Sequence, residues 1–122
     1  MPIFVIHEHH ATNLHYDFRL EMGGVLKSWA LPKQPLRTRN IKRLAIQVED
    51  HPLNYAKFKG KIPEGMYGAG DVKIWDSGTY NLIEKDKEKI EVELHGKKLT
   101  GKYVLVNAKL GKDKKNWLFM KV

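Results

Sequence analysis

The sequence predicts an all-β protein: a compact, closed or nearly closed β-barrel of about eight strands with at most short helical turns. Three observations carry this. Apolar and polar residues alternate over short runs, most cleanly where Ile90, Val92 and Leu94 oppose Glu91, Glu93 and His95. The runs are joined by hairpin-length connections such as Gly23-Gly24. No segment sustains a helical period, and strands of this kind close on themselves to protect their edges.

In chain order, residues 3–9 alternate weakly as the first strand, and residues 11–13 turn. Residues 15–22 form the central strand, and Gly23-Gly24 turns it back. Residues 25–31 follow as a strand containing Trp29, ended by Pro32. Residues 33–42 are a basic loop without apolar period. Residues 43–49 alternate, with Leu44, Ile46 and Val48 opposite Arg43, Ala45, Gln47 and Glu49. Asp50-His51-Pro52 is expected to break that strand, because proline removes a ladder donor. Residues 53–58 make one helical turn. Residues 63–70 are a Gly-rich turn region; no Gly-Lys-Ser/Thr follows, so it is not a phosphate-cradling loop. Residues 71–75 and 79–83 are strands around a tight turn at Asp76-Ser77-Gly78, and residues 84–89 are a charged turn. Residues 90–95, 102–108 and 117–122 complete the set, with Gly96 and Gly101 bracketing a connection. Trp29, Trp75 and Trp117 are expected in the core.

A chain of 122 residues makes a single domain, 1–122, with one core. With 0 Cys, disulfides and thiolate metal sites are excluded. There is no apolar run long enough to span a bilayer and no secretory signal, so a soluble, cytoplasmic protein, monomeric by default, is expected. The net charge of +8 points to a polyanionic partner, with part of the excess at residues 33–43 and 109–115.

The run His15-Tyr16-Asp17-Phe18-Arg19-Leu20-Glu21 reads as more than a half-exposed strand. Alternation puts Tyr16, Phe18, Leu20 and Met22 on one face and His15, Asp17, Arg19 and Glu21 on the other. Half of the 6 His fall within residues 7–10. If the first strand folds back onto the second, His9 faces His15 and Asp17. Two imidazoles and a carboxylate from adjacent strands make a facial metal site with open positions, suited to Mn²⁺, with Zn²⁺, Co²⁺ and Fe²⁺ as competitors. Such a metal acts as a Lewis acid on a phosphoryl group, and Arg19 is placed for the phosphate. His51, at the strand break, is a candidate phosphate contact or proton donor, with Tyr55 in reach if the segment turns once. Arg43 lies opposite the apolar face of its strand. His7, His10 and His95 are expected at the surface or behind the ligands.

Longer motifs then come into view: His9-x5-His15-Tyr16-Asp17-Phe18-Arg19-Leu20-Glu21; Leu26-Lys27-Ser28-Trp29-Ala30-Leu31-Pro32-Lys33; Arg43-Leu44-Ala45; Val48-Glu49-Asp50-His51-Pro52-Leu53-x-Tyr55; and Ile62-Pro63-x-Gly65-x-Tyr67-Gly68-Ala69-Gly70. Together they closely resemble the 3′-phosphoesterase domain of DNA ligase D, over nearly the whole chain to Asn116-Trp117-Leu118. The chain looks like a free-standing form, without ligase or polymerase modules. The resemblance implies a compact β-barrel with a surface groove and a manganese-dependent enzyme that heals 3′ ends. It would remove a terminal ribonucleoside and then the 3′-phosphate, leaving a 3′-OH for a ligase. By motif position His9, His15 and Asp17 would hold the metal, with Co²⁺ or Zn²⁺ possible in place of Mn²⁺. Arg19, His51 and Tyr55 would engage the phosphate, with Arg43 assisting and Glu21 and Lys33 as weaker candidates. The implied partners are DNA or DNA/RNA primer–template 3′ ends and a separate DNA ligase. The sequence departs from the family pattern at three places. It begins two residues before the first strand, so an N-terminal phosphate contact is expected to be missing and activity weakened. His7 stands where Gln is common and His10 where Asp is common. Gln34 replaces the usual Gly of a Pro-Lys-Gly-Pro turn.

Two other readings compete. His15-x-Asp17 with His51 fits the ligand triad of a non-haem iron oxygenase. A non-catalytic nucleic-acid-binding barrel, working as an OB-fold does, would need exposed aromatics and no metal.

Overall fold

Period-two alternation gives each strand one apolar face, and a curled antiparallel sheet buries those faces against one another. The structure, a computed structural model, describes residues 1–109 and 114–122. Its strands are β1 (Ile3–His10), β2 (Leu14–Met22), β3 (Val25–Leu31), β4 (Arg43–His51), β5 (Gly60–Ile62), β6 (Gly70–Lys85), β7 (Lys89–Gly96), β8 (Thr100–Asn107) and β9 (Asn116–Lys121). A 3₁₀ helix, Leu53–Lys57, follows β4. Eight strands run in the order β1-β2-β3-β4-β9-β8-β7-β6, and β6 pairs back onto β1. The result is a closed antiparallel barrel, with β5 added beside the start of β6. Among the described residues no helix is long and apolar enough to cross a membrane.

Inside the ring lie Phe4, Ile6, Phe18, Leu20, Trp29, Leu31, Tyr103, Trp117 and Phe119 with their neighbours. The Phe119 ring sits 4.7 Å from Phe18 and 5.2 Å from Tyr103, and Trp29 meets Trp117 edge-on at 5.9 Å. An eight-stranded ring is just wide enough to be filled by side chains in this way. Trp29 and Trp117 are core residues as expected, while Trp75 is partly buried at its edge.

Four local expectations need correction. No turn occurs at Asp76-Ser77-Gly78; β6 runs through it for 16 residues. The Asp76 carboxylate instead accepts from the backbone of Ser77, Lys97, Lys98 and Leu99. Gly78 is small because a Cβ there would run into the carbonyl oxygen of His95. Second, β4 continues through His51, two residues beyond the expected end at Glu49, and stops directly before the proline. Third, β5 was not anticipated; three residues are too few to show a period. Fourth, the apolar row of β4 points outward: Ala45 is buried in the core, while Leu44 and Val48 are exposed. Of the basic stretch at 109–115, residues 110–113 lie outside the described residues.

The outer face of β1 to β4 positions the polar groups. The two-residue turn at Gly23-Gly24 sets Met22 opposite Val25, which carries Arg19 opposite Ser28 and Asp17 opposite Ala30. The turn at residues 11–13 puts His9 opposite His15 and His7 opposite Asp17. Residues 53–69 cross this outer face. Beneath them a second apolar cluster forms from Val5, Leu26 and Ala56, with Ile3 and Tyr55 packed against it.

Candidate functional site

His9, Asp17 and Arg19 are nearly inaccessible, although they project from the outside of the barrel. Neighbouring side chains and the 53–69 segment enclose them. The potential ligand atoms of His9, His15 and Asp17 all lie within 4.8 Å of one another. Asp17 Oδ2 is 3.7 Å from His9 Nδ1 and 3.4 Å from His15 Nε2.

The other nitrogen of each ring shows how these histidines are prepared. His9 Nε2–H donates to the Gly68 carbonyl at 2.6 Å, and His15 Nδ1–H donates to the Asn13 carbonyl at 3.1 Å. A carbonyl cannot donate, so each contact fixes the proton on that nitrogen. Each ring then turns an unprotonated nitrogen toward Asp17. Backbone orientation of this kind is how metal-binding histidines are held. Gly68 has φ +78, and its missing side chain leaves room beside His9 Cε1. The three donors fit a divalent cation: two neutral imidazoles and a carboxylate on one point, with space in the groove for further ligands.

Burial pushes the Asp17 carboxyl up, but His15, Arg19 and His9 more than offset this, so it is held below its usual value. When protonated, the His15 ring donates to Asp17, and this raises its pKa against the opposing effect of burial.

Arg19 is gripped on all sides. Its Nε donates to His7 Nδ1 at 3.1 Å, and its Nη1 donates to Ser28 Oγ at 2.8 Å and to His51 Nδ1 at 3.0 Å. Its Nη2 lies 3.3 Å from Asp17 Oδ2. Ser28 in turn donates to the Leu26 carbonyl. The Tyr55 ring covers the guanidinium at 5.0 Å and is stacked on Phe58. Of the five guanidinium N–H groups, three make these hydrogen bonds, and the two on Nη2 lie beside Asp17.

His7 was expected at the surface or behind the ligands, and it lies fully buried behind Arg19. Its Nε2–H donates to the Phe58 carbonyl, so Nδ1 is free to accept from Arg19. Burial first, and then Arg19, lower its pKa to about 4, which keeps it neutral. His51 reaches the same face because the β3–β4 register shifts between Leu26 and Ser28. Without the shift, Asp50 would sit opposite Leu26. Burial and Arg19 lower the pKa of His51 as well. His51 Nδ1 lies 3.0 Å from Arg19 Nη1 and 3.1 Å from the Glu49 carbonyl: with its proton on Nε2 the ring accepts from Arg19, and with its proton on Nδ1 it donates to Glu49. Burial raises the Tyr55 hydroxyl, so it stays protonated.

His9, His15, Asp17, Arg19, His51 and Tyr55 therefore line one groove. His51 is not among the grouped metal donors, so the expected triad of His15, Asp17 and His51 does not form. Three other candidates are elsewhere. Arg43 pairs with Phe119 on the opposite face of β4 and donates to the Gln34 carbonyl. Glu21 shares the Arg19 face but accepts from the Ile3 backbone. Lys33 is exposed in the basic loop, away from the groove lining. Sequence reasoning missed Ser28, although the Gly-Gly hairpin register alone places it against Arg19. It also missed the carbonyl of Gly68, since backbone acceptors carry no residue signature.

Comparisons with known proteins give the family. The DNA ligase D 3′-phosphoesterase domain family matches residues 7–107. The multifunctional non-homologous end joining protein LigD of Pseudomonas aeruginosa is 46% identical over 97% of this chain, which spans 15% of that relative. The LigD protein of Mycobacterium tuberculosis is 52% identical over 84% of the chain and 14% of its own length. That of Mycolicibacterium smegmatis is 49% identical over 94% of the chain and 16% of its own length. A match over most of the chain, with the grouped donors and Arg19 inside the matched residues, assigns it: the chain belongs to the DNA ligase D 3′-phosphoesterase domain family.

Proposed function

We propose that this chain is a metal-dependent phosphoesterase that heals DNA 3′ ends as a single domain, 1–122. It removes a 3′-terminal ribonucleoside and then the remaining 3′-phosphate, leaving a 3′-OH for ligation in DNA repair by non-homologous end joining. One observation carries the reading: two imidazoles with carbonyl-fixed tautomers and a carboxylate converge beside an immobilised guanidinium.

A divalent cation held by His9 Nδ1, His15 Nε2 and Asp17, Mn²⁺ with Co²⁺ or Zn²⁺ as alternatives, would supply Lewis-acid polarisation of the phosphoryl oxygen. The chain's own groups do the rest. Arg19 offers an Nη2 N–H to a phosphate oxygen, from a geometry its neighbours have already set. The Tyr55 ring shields that guanidinium from water, and its protonated hydroxyl is a donor. His51 presents Nε2–H to the phosphate or to the leaving oxygen. Water adds to phosphorus, the ester P–O bond breaks, and a proton from that water passes through solvent to the departing oxygen, which His51 Nε2–H hydrogen-bonds as charge develops on it. Arg43, Glu21 and Lys33 remain proposals for support outside the groove. The partners are DNA or DNA/RNA primer–template 3′ ends and a separate DNA ligase; the protein is proposed to work as a soluble cytoplasmic monomer.

The test is 3′-end processing of two labelled primer–templates, one ending in a ribonucleotide and one in a 3′-phosphate, with Mn²⁺, with Zn²⁺ and with chelator. Mn²⁺-dependent shortening and dephosphorylation, both lost in His15→Ala, are expected. DNA binding without processing under any metal would instead favour the non-catalytic binding barrel.

A further inference from the structure

The groove lining is of two kinds. One is the polar cluster of Asp17, Arg19 and His51. The other is apolar, with Ala30, Val48, Ile62, Met66 and Tyr67. The cavity is about 750 Å³, far more than one phosphate fills and within the range of small-molecule sites.

Tyr67 is 96% exposed and Met66 is 61% exposed. A single exposed apolar residue is ordinary. Two adjacent ones lining the cavity that holds the charged cluster are not explained by the core, which they do not touch. Their backbone is held. Met66 N–H donates to the Pro63 carbonyl at 3.3 Å, and Ala69 N–H donates to the Met66 carbonyl at 3.1 Å. The next residue after Tyr67 fastens the loop to His9 through the Gly68 carbonyl. Tyr67 is thus set at a fixed, short distance along the chain from a candidate metal ligand.

We propose that Tyr67, with Met66 beside it, is the stacking platform for the terminal base of a primer whose 3′-phosphate lies at Arg19 and His51. The proposal rests on the phosphoesterase reading and names the part of the substrate that reading leaves unassigned. A phenol ring offers any base a π-face, so the contact recognises a nucleoside without reading its identity. It makes a nucleic-acid end a better substrate than a small phosphate ester. Tyr67 binds and does no chemistry.

The test uses a primer–template with a 3′-phosphate and 2-aminopurine as its last base. Wild type, Tyr67→Ala and Tyr67→Phe are first titrated in chelator, reading 2-aminopurine fluorescence, and then assayed for dephosphorylation with Mn²⁺. Tyr67→Ala is expected to lose most of the fluorescence change and to raise KM on the order of tenfold, the scale of one base–aromatic stack. Its kcat stays within about twofold and Tyr67→Phe retains both signals. An abasic last residue raises the wild-type KM similarly and leaves that of Tyr67→Ala unmoved. Wild-type fluorescence and KM in Tyr67→Ala, with dephosphorylation intact, overturn the stacking contact alone. A Tyr67-dependent fluorescence change without Mn²⁺-dependent dephosphorylation sinks the phosphoesterase reading and leaves the base contact standing.

Discussion

Asp17 and Asp76 are both buried aspartates on strands of the same barrel, with relative exposures of 6% and 4%. Asp76 faces four backbone N–H groups at 2.8–3.2 Å from Ser77, Lys97, Lys98 and Leu99. Its lone pairs are used within the chain, and it ties β6 to the connection after β7. Asp17 meets one guanidinium N–H at 3.3 Å and two imidazole nitrogens at 3.4 and 3.7 Å. Those two nitrogens carry no proton when their rings donate to Gly68 and Asn13. One carboxylate is satisfied by the fold, and the other faces nitrogen lone pairs that a bound cation, or a proton on His15, reconciles. Burial alone does not separate a structural acid from a functional one; the state of its neighbours' nitrogens does.

That contrast breaks most sharply in the activity of Asp17→Asn. Losing the charged donor should lower Mn²⁺-dependent 3′-phosphate release by about 10³-fold, the scale of several kcal/mol of transition-state stabilisation. Unfolding in urea should stay near wild type. An Asp17→Asn protein that keeps its activity would end the contrast. Asp76→Ala should do the reverse. It leaves four backbone donors unpaired and should cost about 3–5 kcal/mol in chemical denaturation. Activity at low temperature, normalised to folded protein, should be retained.

Gly68→Ala sharpens the comparison at smaller scale. The added methyl strains a residue at φ +78 and crowds His9 Cε1. Mn²⁺ affinity by calorimetry should fall about tenfold, as when a group orienting a ligand is disturbed; an unchanged affinity would mean that the Gly68 carbonyl does not set the His9 ring. The smallest effect at neutral pH concerns Tyr80 and Tyr103, whose hydroxyls burial pushes up to about 12. A raised folded pKa means that stability is fully present below pH 10 and is lost as pH rises from 10 through 12. Denaturant midpoints should fall across that window, while Tyr80→Phe, which lacks the ionising group, should lose less.

Much of this molecule was legible in the chain. The alternation at Ile90, Val92 and Leu94 and the Gly23-Gly24 turn gave strands and registers that the barrel adopts. The pairing of His9 with His15 followed from a short turn between two strands. Asp76-Ser77-Gly78 misled, because turn-forming residue types also serve where a carboxylate gathers N–H groups and two backbones pass closely. The outward facing of Leu44, Ile46 and Val48 was not legible either. Val48 lines the groove outside the barrel while Ala45 fills the core, and local periodicity cannot say which of two alternating faces turns inward.

By itself, the sequence determined the strand periods, the hairpin registers and the row His15, Asp17, Arg19, because these depend on bonded neighbours and alternation. Only the tertiary structure decided that His7 would be buried as a neutral acceptor, that a register shift would bring His51 to Arg19, and that Gly68 would fix the His9 proton. Each of those depends on groups distant along the chain meeting at hydrogen-bond distance, which closure of the barrel supplies and local pattern does not encode.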